Sequence, residues 1–163
     1  GRTFIEPTQS IRQFGVRLKL SVDQERIQGR RVTLVDDSIV RSTTMKKLIE
    51  LVRAAGATEV HIRISSPPFA FPCFYGIDTP DSKELIAASH SVDEIRQQIG
   101  ADTLAYISPE GLRDAVNGTV GEVGFCDACF TGNYPVPLVD RRMQDKLAGT
   151  GASFATDAGG PLL

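Results

Sequence analysis

The chain has 163 residues, 41% hydrophobic and 23% charged, with a formal net charge of -2, values that fit one soluble globular domain of ordinary size. Its Lys and Arg are spread along the chain, so a general attraction to nucleic acid or to an anionic membrane is excluded. No apolar run approaches the roughly 18 residues of a membrane span, and GRTFIEPTQS is not a signal peptide, so the expected compartment is the cytoplasm.

Residues 1–29 are weakly periodic and read as a mobile segment with a short helical piece near Ser10–Phe14. Arg30–Val35 (RRVTLV) is a short β-branched run that predicts a strand and stops at an acidic pair, Asp36 and Asp37. After Ser42, the residues Met45, Leu48, Ile49 and Val52 recur at helical spacing and Gly56 follows the last turn, which predicts a helix. Thr58–Ser65 (TEVHIRIS) alternates as a second strand, and strand, helix, strand in this order predicts a right-handed crossover in a parallel sheet.

Pro67, Pro68 and Pro72 predict an irregular stretch carrying Cys73. Ser91 caps a predicted helix that runs to about Ile99 and ends at Gly100, and Thr103–Ile107 is the third strand candidate. Ser108, Pro109 and Glu110 open another helix, ending near Asn117 and Gly118. The Gly- and Ala-rich end, LAGTGASFATDAGGPLL, has no capped periodicity, and 137–163 is expected to be a disordered tail. The fold class is α/β, a parallel sheet with flanking helices over 30–136 and an irregular Cys-containing C-terminal segment.

Adjacent carboxylates repel, so a chain that seats Asp36 beside Asp37 where a strand meets a helix usually has a cation or a set of hydroxyls to hold there. In an open parallel sheet, ligands bind beyond the carboxyl ends of the strands. The next seven residues, Ser38, Ile39, Val40, Arg41, Ser42, Thr43 and Thr44, supply backbone N–H groups, hydroxyls and the positive end of a helix, a combination that accepts a phosphate. The carboxylates would then serve sugar hydroxyls or Mg²⁺. On residue types alone, an ordinary helix start with acids against the dipole reads the stretch equally well.

Three cysteines, Cys73, Cys126 and Cys129, are an odd number that fits a reducing compartment, and the C-x-x-C pair points to metal or redox chemistry. Zinc, with a His or water completing the site, is one option, although His61 and His90 each read better as strand or loop residues.

VTLVDDSIVRSTT closely resembles the phosphoribosyl pyrophosphate (PRPP) signature of type I phosphoribosyltransferases. Together with GRTFIEPTQ, SSPPFAFPCFYGIDTP, ELIA, SVDEIRQQIGADTL and CDACFTGNYP, it makes residues 1 to about 136 resemble the C-terminal part of the glutamine PRPP amidotransferases, in their iron–sulfur-containing type. The resemblance implies a partial type I phosphoribosyltransferase fold. It implies that Asp36 and Asp37 bind the ribose hydroxyls of PRPP and its Mg²⁺, and that Ser38 to Thr44 cradle the 5′-phosphate. Residues 1–29 would be the mobile catalytic loop and its lead-in, with Arg17 and Lys19 bringing positive charge to the pyrophosphate; a solvated basic face is the plainer account of those two.

The family normally has Gly where this chain has Ser42, and since Gly serves φ > 0 or a close phosphate approach, Ser42 is expected to weaken PRPP binding. The resemblance also places Cys73, Cys126 and Cys129 at three of the four ligands of a 4Fe-4S cluster, the fourth lying upstream of Gly1. Three thiolates leave one iron open, so the cluster is expected to be held poorly.

The implied activity opens de novo purine nucleotide synthesis: PRPP, glutamine and water give 5-phosphoribosylamine, glutamate and pyrophosphate. An N-terminal glutaminase part, a homo-oligomer and feedback by purine nucleotides come with that reading. Position 1 is Gly, not the nucleophilic Cys of the family, so the chain is expected to be a piece of something longer, without glutaminase or complete transferase activity alone. The alternatives are a non-catalytic PRPP or nucleotide-binding module, a metal-stabilised structural domain, or another type I phosphoribosyltransferase, although those lack the CFYGID and CDACF segments.

Overall fold

The computed structural model describes residues 22–120, with the side chains of 118–120 excepted, then 124–137 and residue 145. The expected helical piece at Ser10–Phe14, the loop residues Arg17 and Lys19 and nearly all of the 137–163 tail lie outside these.

A one-turn helix α1 (Gln24–Ile27), capped by Asp23, leads into β1 (Arg31–Asp36). Helix α2 (Ser42–Ala54) crosses to β2 (Glu59–Ile64). Two 3-10 turns, Ser82–Glu84 and Ile86–Ala88, precede α3 (Val92–Ile99), β3 (Thr103–Tyr106), α4 (Pro109–Val120) and the one-turn α5 (Ala128–Thr131). The three strands pair in parallel in the order β1-β2-β3, with Asp36 opposite Ile64 and Ile64 opposite Tyr106. The predicted strands and helices thus form within a residue or two of their expected bounds. The two 3-10 turns, α1 and α5 carry no sequence periodicity because each is a single turn.

Side chains alternate across a strand, and the alternation decides which face of the sheet is dry. Val60, Ile62 and Ile64 of β2 are buried, and Val32, Leu34, Leu104 and Tyr106 pack toward them from the neighbouring strands. Against this face lie Met45, Ile49 and Val52 of α2 and Ile95 and Ile99 of α3, and each such side chain taken out of water contributes about 1.5–3 kcal/mol. The opposite face carries Arg31, Thr33, Val35 and Arg63, all exposed, with Val35 at 74%.

Both helices end as their glycines require: Gly56, at φ +95°, follows α2 and Gly100, at φ +77°, closes α3. Arg53 near the end of α2 donates to the Gly100 carbonyl (2.9 Å) and to Asp102 (2.8 Å), whose carboxylate also accepts from the Val60 N–H. The amino end of the sheet is therefore closed by hydrogen bonds. Among the described residues no helix is long and apolar enough to cross a membrane.

Candidate functional site

At the carboxyl end of β1 the chain turns from Asp36 to Arg41 and enters α2. Ile39, 2% exposed, anchors this turn in the core, while Asp36, Asp37 and Arg41 remain exposed. The Asp36 carboxylate accepts from the Asp37 N–H (2.9 Å), and the Ser38 hydroxyl donates to Asp37 (3.2 Å). Ser65, one residue past β2, donates both its N–H (3.0 Å) and its hydroxyl (3.2 Å) to the Asp36 carbonyl. The acidic residue is thus fixed through its backbone while it stays exposed and its carboxyl group is only partly buried. Partial burial, opposed by the Asp37 N–H and reinforced by the Asp37 charge, raises the Asp36 carboxyl above the ordinary value of 3.8. A cation or a donor hydroxyl between the two acids would relieve that cost.

The start of α2 has no side-chain cap at Arg41 and no acid in its first turn. An α-helix leaves its first N–H groups without intrahelical partners, so this end offers donors and partial positive charge to an anion beside the two carboxylates. Ser42 is the first residue of α2, and no non-Gly residue among those described has positive φ. The conformational reason for expecting Ser42 to disfavour binding is therefore removed. Only the close-approach argument still bears on it.

Sequence reasoning missed what holds the turn from outside. The Arg41 guanidinium is paired with Glu84 of the first 3-10 turn, and the Ile86 N–H donates to the Val40 carbonyl (3.1 Å). ELIA contains both partners, yet a contact across 43 residues leaves no local periodicity to read.

Mg²⁺ takes oxygen ligands, keeps several waters, and is bound by one or two carboxylates with substrate phosphates. The exposed carboxylates of Asp36 and Asp37 fit that donor set. The cysteines form a second locus. The backbone N–H groups of Ala70 and Phe71 donate to the Cys129 carbonyl (3.2 and 3.0 Å), which docks α5 on the proline-rich stretch. Phe69 meets Phe130 edge-on at 5.9 Å, Tyr134 donates to the Pro72 carbonyl (2.7 Å), and the Tyr75 N–H donates to the Cys73 sulfur (3.4 Å).

Burial, then the neighbouring Cys73, pushes the Cys129 thiol up to about 11. All three thiols are free, but among the described residues no three metal-ligating side chains converge on one ion. Three thiols cannot by themselves close a four-thiolate cage. His61 does not compensate, since its ring nitrogens bond to Glu59 and Thr103, each at 2.9 Å, and His90 bonds to Ser89 at 2.9 Å.

No protein-family model matches the chain. It is 56% identical over 140 residues to an amidophosphoribosyltransferase of Bacillus subtilis, which covers 85% of this chain and 29% of the relative. It is 55% identical over 138 residues to that of Archaeoglobus fulgidus, covering 85% and 30%. Among solved structures, the B. subtilis glutamine PRPP amidotransferase complexed with ADP and GMP superposes with a TM-score of 0.68 at 58% identity, over 83% of this chain and 30% of that one. The chain spans about three tenths of the length of the relatives it matches.

Proposed function

We propose, from the premise that this chain is kin to the amidophosphoribosyltransferases, that it forms the PRPP-binding part of such an enzyme. The observation that carries the reading is the junction itself: two exposed acidic residues directly precede a helix whose N-cap residue, Arg41, gives it no side-chain cap. In this role Asp36 and Asp37 accept from the 2- and 3-hydroxyls of the ribose, and the N–H groups and hydroxyls of Ser38 to Thr44 hold the 5′-phosphate. Bound Mg²⁺, held with the help of the two carboxylates, would neutralise charge on the pyrophosphate.

Displacement of pyrophosphate by ammonia at the anomeric carbon passes through an oxocarbenium-like state. What these residues supply is orientation: a sugar gripped at its hydroxyls and at its 5′-phosphate presents the anomeric carbon in one pose. Arg17 and Lys19 are assigned to closing over the pyrophosphate and excluding water. The glutaminase part, a homo-oligomer, a 4Fe-4S cluster with a fourth ligand from elsewhere and a cytoplasmic setting complete the proposal. The overall reaction converts PRPP, glutamine and water to 5-phosphoribosylamine, glutamate and pyrophosphate. A second reading, a non-catalytic nucleotide-binding module, draws on the relative solved with ADP and GMP.

Calorimetric titration with PRPP and Mg²⁺ tests the site. Each lost charge-assisted hydrogen bond is worth about 1.5–3 kcal/mol, so Asp36→Asn with Asp37→Asn is expected to weaken binding about 100-fold or more. Equal affinity in the double variant would remove the acidic pair from the site. Tight binding of GMP with none of PRPP would favour the second reading.

A further inference from the structure

The phosphate turn is held from outside by a segment with no assigned role. In Ser82–Ile86, Ser82 and Leu85 are each 1% exposed and Ile86 is 7% exposed, so the segment is seated in the protein on both sides of Glu84. Glu84 itself is exposed, and its carboxylate is paired with the guanidinium of Arg41. Two residues further on, the Ile86 N–H donates to the Val40 carbonyl (3.1 Å), so that oxygen is engaged by the segment. A backbone bond to Val40 and a side-chain pair to Arg41 thus tie two adjacent residues of the turn to one buried segment.

We propose that Glu84 is a positioning residue for phosphate binding: it holds the guanidinium of Arg41 at the entrance to α2 and fixes the turn in its anion-receiving shape. This rests on the PRPP reading of the site. Arg41 is the one cation among residues 38–44, and a guanidinium has five N–H donors, so donors remain for a phosphoryl oxygen after Glu84 has taken its share. A pair this exposed contributes little to stability. Its effect is expected in the geometry of the loop.

The sign of one substitution separates this role from plain electrostatics. Glu84→Gln removes a negative charge beside an anion site, and a carboxylate that only repelled phosphate would leave binding tighter once removed. A positioning carboxylate does the reverse: Glu84→Gln is expected to weaken binding of ribose 5-phosphate and of PRPP with Mg²⁺ about 3- to 10-fold.

Glu84→Asp should recover part of the loss, and in an Arg41→Met background Glu84→Gln should have no further effect. Circular dichroism and the unfolding midpoint confirm that each variant is folded. Unchanged or tighter binding by Glu84→Gln, or an equal loss in the Arg41→Met background, would overturn the inference alone. No PRPP binding by the unaltered chain would overturn the PRPP reading and this inference with it.

Discussion

Helices α2 and α3 begin in opposite ways. At α3 the Ser91 hydroxyl accepts from the Glu94 N–H (3.3 Å), the Glu94 carboxylate accepts from the Ser91 N–H (2.7 Å), and Asp93 and Glu94 occupy the first turn. At α2 the N-cap is Arg41, whose side chain makes no cap hydrogen bond, and the first turn holds Ser42, Thr43 and Thr44 without an acid. Both helices bury one face in the same core. Packing therefore does not account for the difference. One start is capped from its own sequence, and the other, among the described residues, lacks that cap beside Asp36 and Asp37, as the proposed site for an anion attached to a polyhydroxyl group requires.

The largest effect is expected where α2 is anchored. Ile39→Ala empties a position that is 2% exposed, and is expected to cost about 2–5 kcal/mol in denaturant unfolding and to loosen the turn between β1 and α2. Next in size is a transplant. Thr43→Asp with Thr44→Glu gives α2 the acidic first turn of α3, which should stabilise the helix by about 0.3–1 kcal/mol per acid and weaken PRPP binding at least about tenfold, because the acids fill the anion position. Tighter or unchanged binding would show that the phosphate does not sit there. The converse change, Ser91→Ala, is expected to cost about 1 kcal/mol of stability and to leave PRPP affinity unchanged.

The smallest effect is in pH dependence, where the two starts have opposite signs. The Ser91 N–H, then its hydroxyl, holds the Glu94 carboxyl below its ordinary 4.5, so its contribution is present above that value and lost as pH falls through the lowered one. Burial raises the Asp36 carboxyl above 3.8, so its protonated form favours the fold below that value, and the benefit is lost as pH rises through the raised one. Asp36→Asn should remove the second dependence and Glu94→Gln the first, read from unfolding midpoints between about pH 3 and 6.

The strands and the three longer helices were legible because each has its own periodicity and punctuation: Met45, Ile49 and Val52 on α2, the Ser91 cap and the glycines after both helices. Asp36 and Asp37 were legible as a candidate site because two acids at a strand end are costly without a partner. Glu84, Ile86 and Ser65 were not, since each acts on the turn across at least 29 residues, through contacts that only the folded chain creates. The meeting of Cys129 with the proline-rich stretch has no local signal either, and only the resemblance, by placing Cys73, Cys126 and Cys129 at one cluster, implied it. The exposure of Val35 among the described residues could not be foreseen from β1 either, because its alternation reads alike whether or not something covers that face.

The most direct test of the account is amide NMR of the 163-residue chain titrated with ribose 5-phosphate and Mg²⁺. The expected result is saturable shifts at the N–H groups of Ser38 to Met45, with those of Val92 to Ile95 unmoved. Equal shifts at both helix starts, or none at the start of α2, would contradict the claim that this chain leaves one helix open to receive a phosphate.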